Sequence, residues 1–341
     1  MASASFVPFV AFLLCLFCLG CHSIPAHLRA EHQSIRSYAA IGDSYASGAG
    51  AGTPGWPPYA DFRCGRYSDA YPIQVANNSL IAIEKSKFKH LACGGLTSTV
   101  ILRDQVPYIG ESDLVTLTAS GNDVNFFVVL NECVYHWQPS IGCEAQLVKA
   151  REIIETTALL NLENIISGAV QHLKPGALLI VTGYARFFNE DTDYCDTATF
   201  SQTRPLDYLT KTKRRELNQL VMMLNDVIKA TTELHGAVYL DIDGAFDGHR
   251  FCEFGVEEPE IDRSDTWFFN MPPPKTAQSL AGLPSQVPLG DADGMPDPQV
   301  VPEWPQIKKW RVFHPTGPGH HGISEVVVRE ILRLSSPDGR E

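Results

Sequence analysis

Tyr38-Ala-Ala-Ile-Gly-Asp-Ser-Tyr-Ala-Ser-Gly48 is the stretch that decides how the rest of the chain is read. An apolar run that breaks into Gly42-Asp43-Ser44 and then into small residues has the form of a buried strand ending in a tight turn. Glycine opens backbone conformations closed to residues with a Cβ, and a serine just past the turn lies at the N-terminus of a following helix, where main-chain N–H groups stand free. Such a serine is well placed to be a nucleophile. Serine is also a common helix cap, so the stretch alone leaves both roles open.

The same pattern recurs downstream. Residues 88–92 are a candidate second strand leading into Cys93-Gly94-Gly95, and 113–119, almost wholly apolar or Thr, a third leading into Ser120-Gly121-Asn122-Asp123. The helical apolar spacing of 144–173 stops at Lys174-Pro175-Gly176, ahead of a continuous apolar run at 177–182. A second amphipathic pattern, 207–234, closes at His235-Gly236 before a fifth run, 237–241. Residues 71–78 and 323–334 add shorter helices. Uniformly apolar strands alternating with helices specify a parallel sheet covered on both faces, a three-layer α/β/α domain. It is expected to span 36–336 as a single domain. Between about 254 and 305 the pattern dissolves into prolines, acids and glycines, read as a long excursion over the surface. The Asp291, Asp293, Asp297 group within it lacks the spacing of a calcium loop.

Composition narrows the function classes. The 341 residues are 44% hydrophobic and 19% charged, ordinary for a globular protein. A net charge of -12 without clustered Lys and Arg argues against a nucleic-acid partner. Phe6 to Gly20 is an apolar run of signal-peptide length, so residues 1–23 read as a leader and the mature protein as secreted. Leu19-Gly20-Cys21 is like a bacterial lipoprotein signal, but Cys18 stands where that signal usually has Leu, and no stable membrane anchor is expected. Beyond the leader remain Cys64, Cys93, Cys133, Cys143, Cys195 and Cys252, widely spaced and without CxxC units. That favours disulfides over zinc. Spacing does not choose the pairing; nearest neighbours are the simplest arrangement. Asn77-Asn78-Ser79 is an acceptor triplet for an N-glycan on Asn77.

Ligands of a parallel sheet gather at the carboxyl ends of its strands. Ser44, Gly95 and Asn122 would meet there, supplying a hydroxyl nucleophile, two main-chain N–H groups and a side-chain amide for an oxyanion. The missing base is assigned to His314, on a Pro315-stiffened turn ahead of the last helix; His320 and His321, within or just before that helix, read as structural. Asp43 and Asp123 read as acceptors that stabilise their turns. Phe126, Phe127, Tyr45 and the Trp56-to-Tyr59 loop stand near the mouth as either pocket or core.

Taken in order, Gly42-Asp43-Ser44, Gly95, Gly121-Asn122-Asp123 and His314-Pro315 resemble the four blocks of the GDSL or SGNH hydrolase superfamily of esterases and lipases, over nearly the whole mature chain. The resemblance implies a flavodoxin-like five-stranded fold, Ser44 as nucleophile, His314 as base, and Ser44, Gly95 and Asn122 as oxyanion hole. It is nearest the secreted three-disulfide esterases, which implies Cys64 with Cys93, Cys133 with Cys143 and Cys195 with Cys252. Where many members carry an Asp three residues before the histidine, this chain has Arg311. A guanidinium cannot accept the imidazole N–H, so the Arg311 main-chain carbonyl is expected to orient His314. The expected activity is hydrolysis of a lipid or short-chain carboxylic ester, with an acetylated polysaccharide as the second substrate class and a non-catalytic secreted binding protein as the rival reading. No cofactor or metal is expected, and the protein is expected to be a monomer.

Overall fold

The computed structural model describes residues 35–54, 64–137, 141–201, 203–260, 263–271 and 311–335. The leader, the Trp56-to-Tyr59 loop, the Asp291, Asp293, Asp297 group and most of the 254–305 segment lie outside these residues.

Five strands, β1 (Tyr38–Gly42), β2 (Phe88–His90), β3 (Leu114–Thr118), β4 (Leu178–Thr182) and β5 (Val238–Leu240), form one parallel sheet in the order β2-β1-β3-β4-β5. Every residue of β1 and β3 is buried, as their unbroken apolar runs require. A short helix α1 (Ser44–Ser47) follows β1, then α2 (Tyr71–Ala76), α3 (Ser98–Asp104) and α4 (Phe126–Leu130). The 144–173 pattern is α5 (Cys143–Ile153) and α6 (Leu159–His172), joined through a widened π turn at Ile154–Ala158. The last two are α7 (Lys211–Leu234) and α8 (Gly317–Ser335). Helices α2 and α8 pack together on one side of the sheet, while α3, α6 and α7 pack in sequence on the other, giving three layers. Among the described residues no helix is long and apolar enough to cross a membrane.

The expected element types hold, with informative shifts in boundary. Helix α7 starts at Lys211 rather than 207, because the Thr210 side chain accepts the Lys213 N–H and caps it there. Helix α8 starts at Gly317 rather than 323. Its early glycines look like breakers but are contact residues: a Cβ on Gly319 would lie 2.7 Å from the Trp267 carbonyl, and one on Gly322 would lie 2.6 Å from the Trp267 ring. The 254–305 excursion needs a partial correction as well. Phe268 is 3% exposed and bridges antiparallel to Pro315, so its early part packs into the body of the domain.

Among the described residues the disulfides Cys64–Cys93, Cys133–Cys143 and Cys195–Cys252 join nearest neighbours. The first ties the loop before α2 to the turn after β2, on the sheet edge where the candidate residues converge.

Candidate active site

Strand register brings the sequence blocks together. Gly42 pairs with Thr118, so the turns after β1 and β3 leave the sheet side by side, with the turn after β2 on the other flank of β1. Chain order reverses across β1, the crevice where parallel sheets bind ligands. Gly42 is fixed there by a two-way amide clasp: its N–H donates to Gln105 Oε1 at 2.7 Å and its carbonyl accepts Gln105 Nε2 at 3.0 Å. With φ +142° and a Cβ position 2.3 Å from the Thr118 carbonyl, only glycine fits.

Asp43 caps α1, its carboxylate accepting the Tyr45 N–H at 2.9 Å. Ser44 is therefore the first helical residue rather than the cap. Its Oγ lies 2.6 Å from His314 Nε2, across 270 positions of sequence. Of the other histidines considered, His321 is largely exposed on α8, and His320 is fully buried with Nδ1 3.4 Å from the Tyr71 N–H.

The imidazole's other nitrogen, Nδ1, stands 3.2 Å from the Val312 carbonyl, which fixes Nδ1 as the protonated nitrogen and leaves Nε2 free to accept from the serine. The Arg311 carbonyl, the expected orienter, also acts on the imidazole and receives the His314 main-chain N–H at 2.9 Å. Both carbonyls favour the imidazolium, but removal from water outweighs them and pushes the His314 pKa down to about 4. The Arg311 guanidinium points elsewhere, 4.4 Å from the Phe269 ring centroid.

The loop carrying His314 is held around Phe313, a residue that sequence reading did not single out. Phe313 is buried in the left-handed region at φ +61°, with its ring against Phe187 and Tyr135. Its carbonyl accepts the Tyr45 hydroxyl at 2.9 Å, so the residue after the serine ties down the residue before the histidine. Main-chain bonds between Phe313 and Phe269, and between Phe269 and His314, complete the strap.

The three candidate oxyanion donors lie on the turns around Ser44. A Cβ on Gly94 would sit 3.6 Å from Ser44 Cβ, so the Gly94–Gly95 turn abuts the serine, and Gly95 at φ +81° faces open space. Among the described residues, the Ser44 and Gly95 N–H groups have no acceptor. The Asn122 amide is steadied by donating one proton to the Leu96 carbonyl at 3.0 Å. Asp123 serves its turn: its carboxylate accepts the Ser98 N–H, the Ser98 hydroxyl and Asn161 Nδ2. Ser44, Asn122 and His314 share a cleft with Phe126, Phe127, Leu130, Phe187, Val312 and Phe313, enclosing about 70 Å³. A polarised hydroxyl, unpaired N–H donors and an apolar wall together can receive an acyl group and stabilise negative charge on its oxygen.

Fold and site define an ester hydrolase built on a three-layer parallel sheet. The chain belongs to the GDSL-like lipase/acylhydrolase family, whose pattern matches residues 40–256. It is 29% identical over 226 residues to Lipase 1 of Streptomyces coelicolor, covering 65% of this chain and 75% of that one. It is 28% identical over 228 residues to a lipase of Streptomyces rimosus, covering 67% and 77%. The crystal structure of phospholipase A1 from Streptomyces albidoflavus superposes with a TM-score of 0.60 at 26% identity, over 87% of this chain and 99% of that one. The extracellular lipase of Streptomyces rimosus also gives 0.60, at 24% identity over 86% and 98%, and so speaks for the fold. The protein is a carboxylic ester hydrolase of this family.

Proposed function

We propose that the protein is a secreted serine esterase that works through an acyl-enzyme on Ser44. His314 Nε2 takes the Ser44 proton as Oγ attacks the ester carbonyl. The oxyanion is received by the Ser44 and Gly95 N–H groups and the Asn122 amide. The protonated imidazole then gives its proton to the leaving alcohol, and a water activated by the same nitrogen releases the acid. The Val312 carbonyl, with Arg311 beside it, takes the orienting place that a carboxylate holds in a triad. A carbonyl preserves the tautomer without a second charge, so the unit is a dyad.

The observation that carries this reading is the 2.6 Å contact between His314 Nε2 and Ser44 Oγ, which also disfavours a non-catalytic binding protein. The cleft's aromatic and aliphatic wall favours an apolar acyl group over a sugar. The apolar leader and the three disulfides support secretion, and Asn77, exposed at the end of α2, is open to a glycan where the host supplies one.

A fluorophosphonate probe tests the nucleophile: the wild type should be labelled and Ser44→Ala should not, and equal labelling of both discards Ser44. A panel of p-nitrophenyl esters of rising chain length, with phospholipid, triglyceride and acetylated xylan alongside, tests the substrate class. Rates should be greatest on the simple or lipid carboxylic esters of the panel, and a maximum on acetylated xylan would replace that reading.

A further inference from the structure

Tyr184, two residues past the end of β4, belongs to none of the sequence blocks, yet its hydroxyl sits between two of them. It donates to Asp43 Oδ2 at 2.6 Å and accepts the Gly121 N–H at 2.9 Å. Asp43 precedes the candidate nucleophile and Gly121 precedes the candidate oxyanion amide, so one phenol oxygen joins the turn after β1 to the turn after β3. The polarity is forced. Gly121 supplies a proton to the phenol oxygen, so the phenol's own proton goes to the carboxylate, whose other oxygen is taken by the Tyr45 N–H.

The placement is built rather than incidental. The Tyr184 main chain is clasped from α7 by Asn225, whose side-chain oxygen accepts the Tyr184 N–H and whose amide donates to the Tyr184 carbonyl, both at 2.8 Å. The ring is 3% exposed and meets Tyr45 edge-on, with centroids 5.0 Å apart. A Cβ on Gly121 would lie 3.2 Å from the Tyr184 hydroxyl, tight enough that a larger residue would push the two apart.

We propose that Tyr184 is a positioning residue that locks the nucleophile turn to the oxyanion turn, holding Asn122 at its working distance from Ser44. It donates nothing to the substrate; it acts through Asp43 on one side and Gly121 on the other. The inference rests on the serine-esterase reading above. Catalytic hydrogen bonds have to be preorganised, because a donor that must move into place during the reaction loses much of its effect.

Tyr184→Phe removes the hydroxyl and keeps the ring. Its kcat on a short p-nitrophenyl ester should fall about tenfold to a hundredfold, less than the hundredfold to thousandfold typical of deleting an oxyanion donor outright. KM should stay within about twofold, and fluorophosphonate labelling should slow in parallel with kcat. Combined with Asn122→Ala, Tyr184→Phe should add little further loss, because both changes disable one device. A thermal melt shows whether the variant is folded; if it is not, Asp43→Asn, which alters the acceptor of the phenol, carries the same expectations. Tyr184→Phe with unchanged kcat, a loss confined to KM, or a loss fully multiplicative with Asn122→Ala overturns the proposal. If Ser44→Ala retains wild-type hydrolysis, the underlying esterase reading fails instead, whatever Tyr184→Phe does.

Discussion

Two buried titratable groups flank Ser44, and their displacements have opposite consequences for the rate. His314 is held down to about 4, chiefly by burial, and so remains a competent base well below the usual imidazole range. Asp43 is pushed up to about 7: burial is the largest cause, the Tyr184 and Tyr45 hydrogen bonds oppose it, and the charge of Asp123 adds to it. The buried phenols Tyr45, Tyr184 and Tyr71 are its other titratable neighbours, each held above the ordinary phenol range and therefore neutral throughout. Protonation turns Asp43 from a charged acceptor of the Tyr184 phenol into a neutral one, which loosens the link between the turns. Activity on the acid side should therefore fall in two stages: a partial loss as pH drops through about 7, then a complete one near 4 as His314 charges. A profile of kcat/KM from pH 3.5 to 8 checks this, and in Asp43→Asn only the lower step should remain. A single wild-type step near the ordinary imidazole value would show that burial does not govern His314.

At the scale of elements, a glycine that joins two strands gives the sharpest expectation. Gly42→Ala puts a Cβ 2.3 Å from the Thr118 carbonyl at a backbone φ of +142°, and neither the strand pairing nor the Gln105 clasp leaves room to relax. It should cost at least about 2 kcal/mol, read from urea unfolding followed by circular dichroism, and activity should fall with it because α1 starts two residues on. A variant as stable as wild type would mean that the β1–β3 register is softer than the hydrogen bonds imply. Why this turn was legible, along with those bearing Gly95 and Asn122, is plain from local chemistry: apolar runs mark buried strands, and the glycines where they end mark sharp exits. His314 was legible from its proline-flanked place before the last helix. Tyr184 was not, although Val181-Thr182-Gly183-Tyr184 is also a strand running into glycine. Its role depends on register between β3 and β4, which apolar runs do not encode. Val312, which joins Arg311 at the imidazole, was missed for a similar reason: its approach depends on the left-handed turn at Phe313, and a phenylalanine gives no hint of that conformation. The start of α8 was misplaced because its glycines serve contact with Trp267 rather than ending a helix.

Across the whole molecule, the same buried groups set how stability responds to acid. His314 and His320 are both held neutral, to about 4 and about 3, by burial in the first place, and for His320 also by the nearby imidazoles of His314 and His90. Between pH 4 and 6.5 the unfolded chain binds these two protons and the folded chain does not, so each histidine makes stability rise with pH. Asp43 does the reverse, because the folded state keeps its proton up to about 7 while the unfolded state loses it near 3.8. Asp113, held near 2 although burial opposes the shift, by Lys174 and by bonds from Arg36 and Ser37, acts only below that window. Glu258, raised by burial, acts in the same sense as Asp43, so two histidines against these carboxylates leave a surplus of at most one proton, a slope of about 1.4 kcal/mol per pH unit at most. His320→Gln keeps an acceptor for the Tyr71 N–H and removes one titrating group, so His314 and Asp43 should then nearly cancel. Urea unfolding at pH 4.5, 5.5 and 6.5 should show a rising midpoint in the wild type and a flat or falling one in the variant. Equal slopes in both would place the acid sensitivity of the fold in its surface carboxylates rather than beneath its active-site loop.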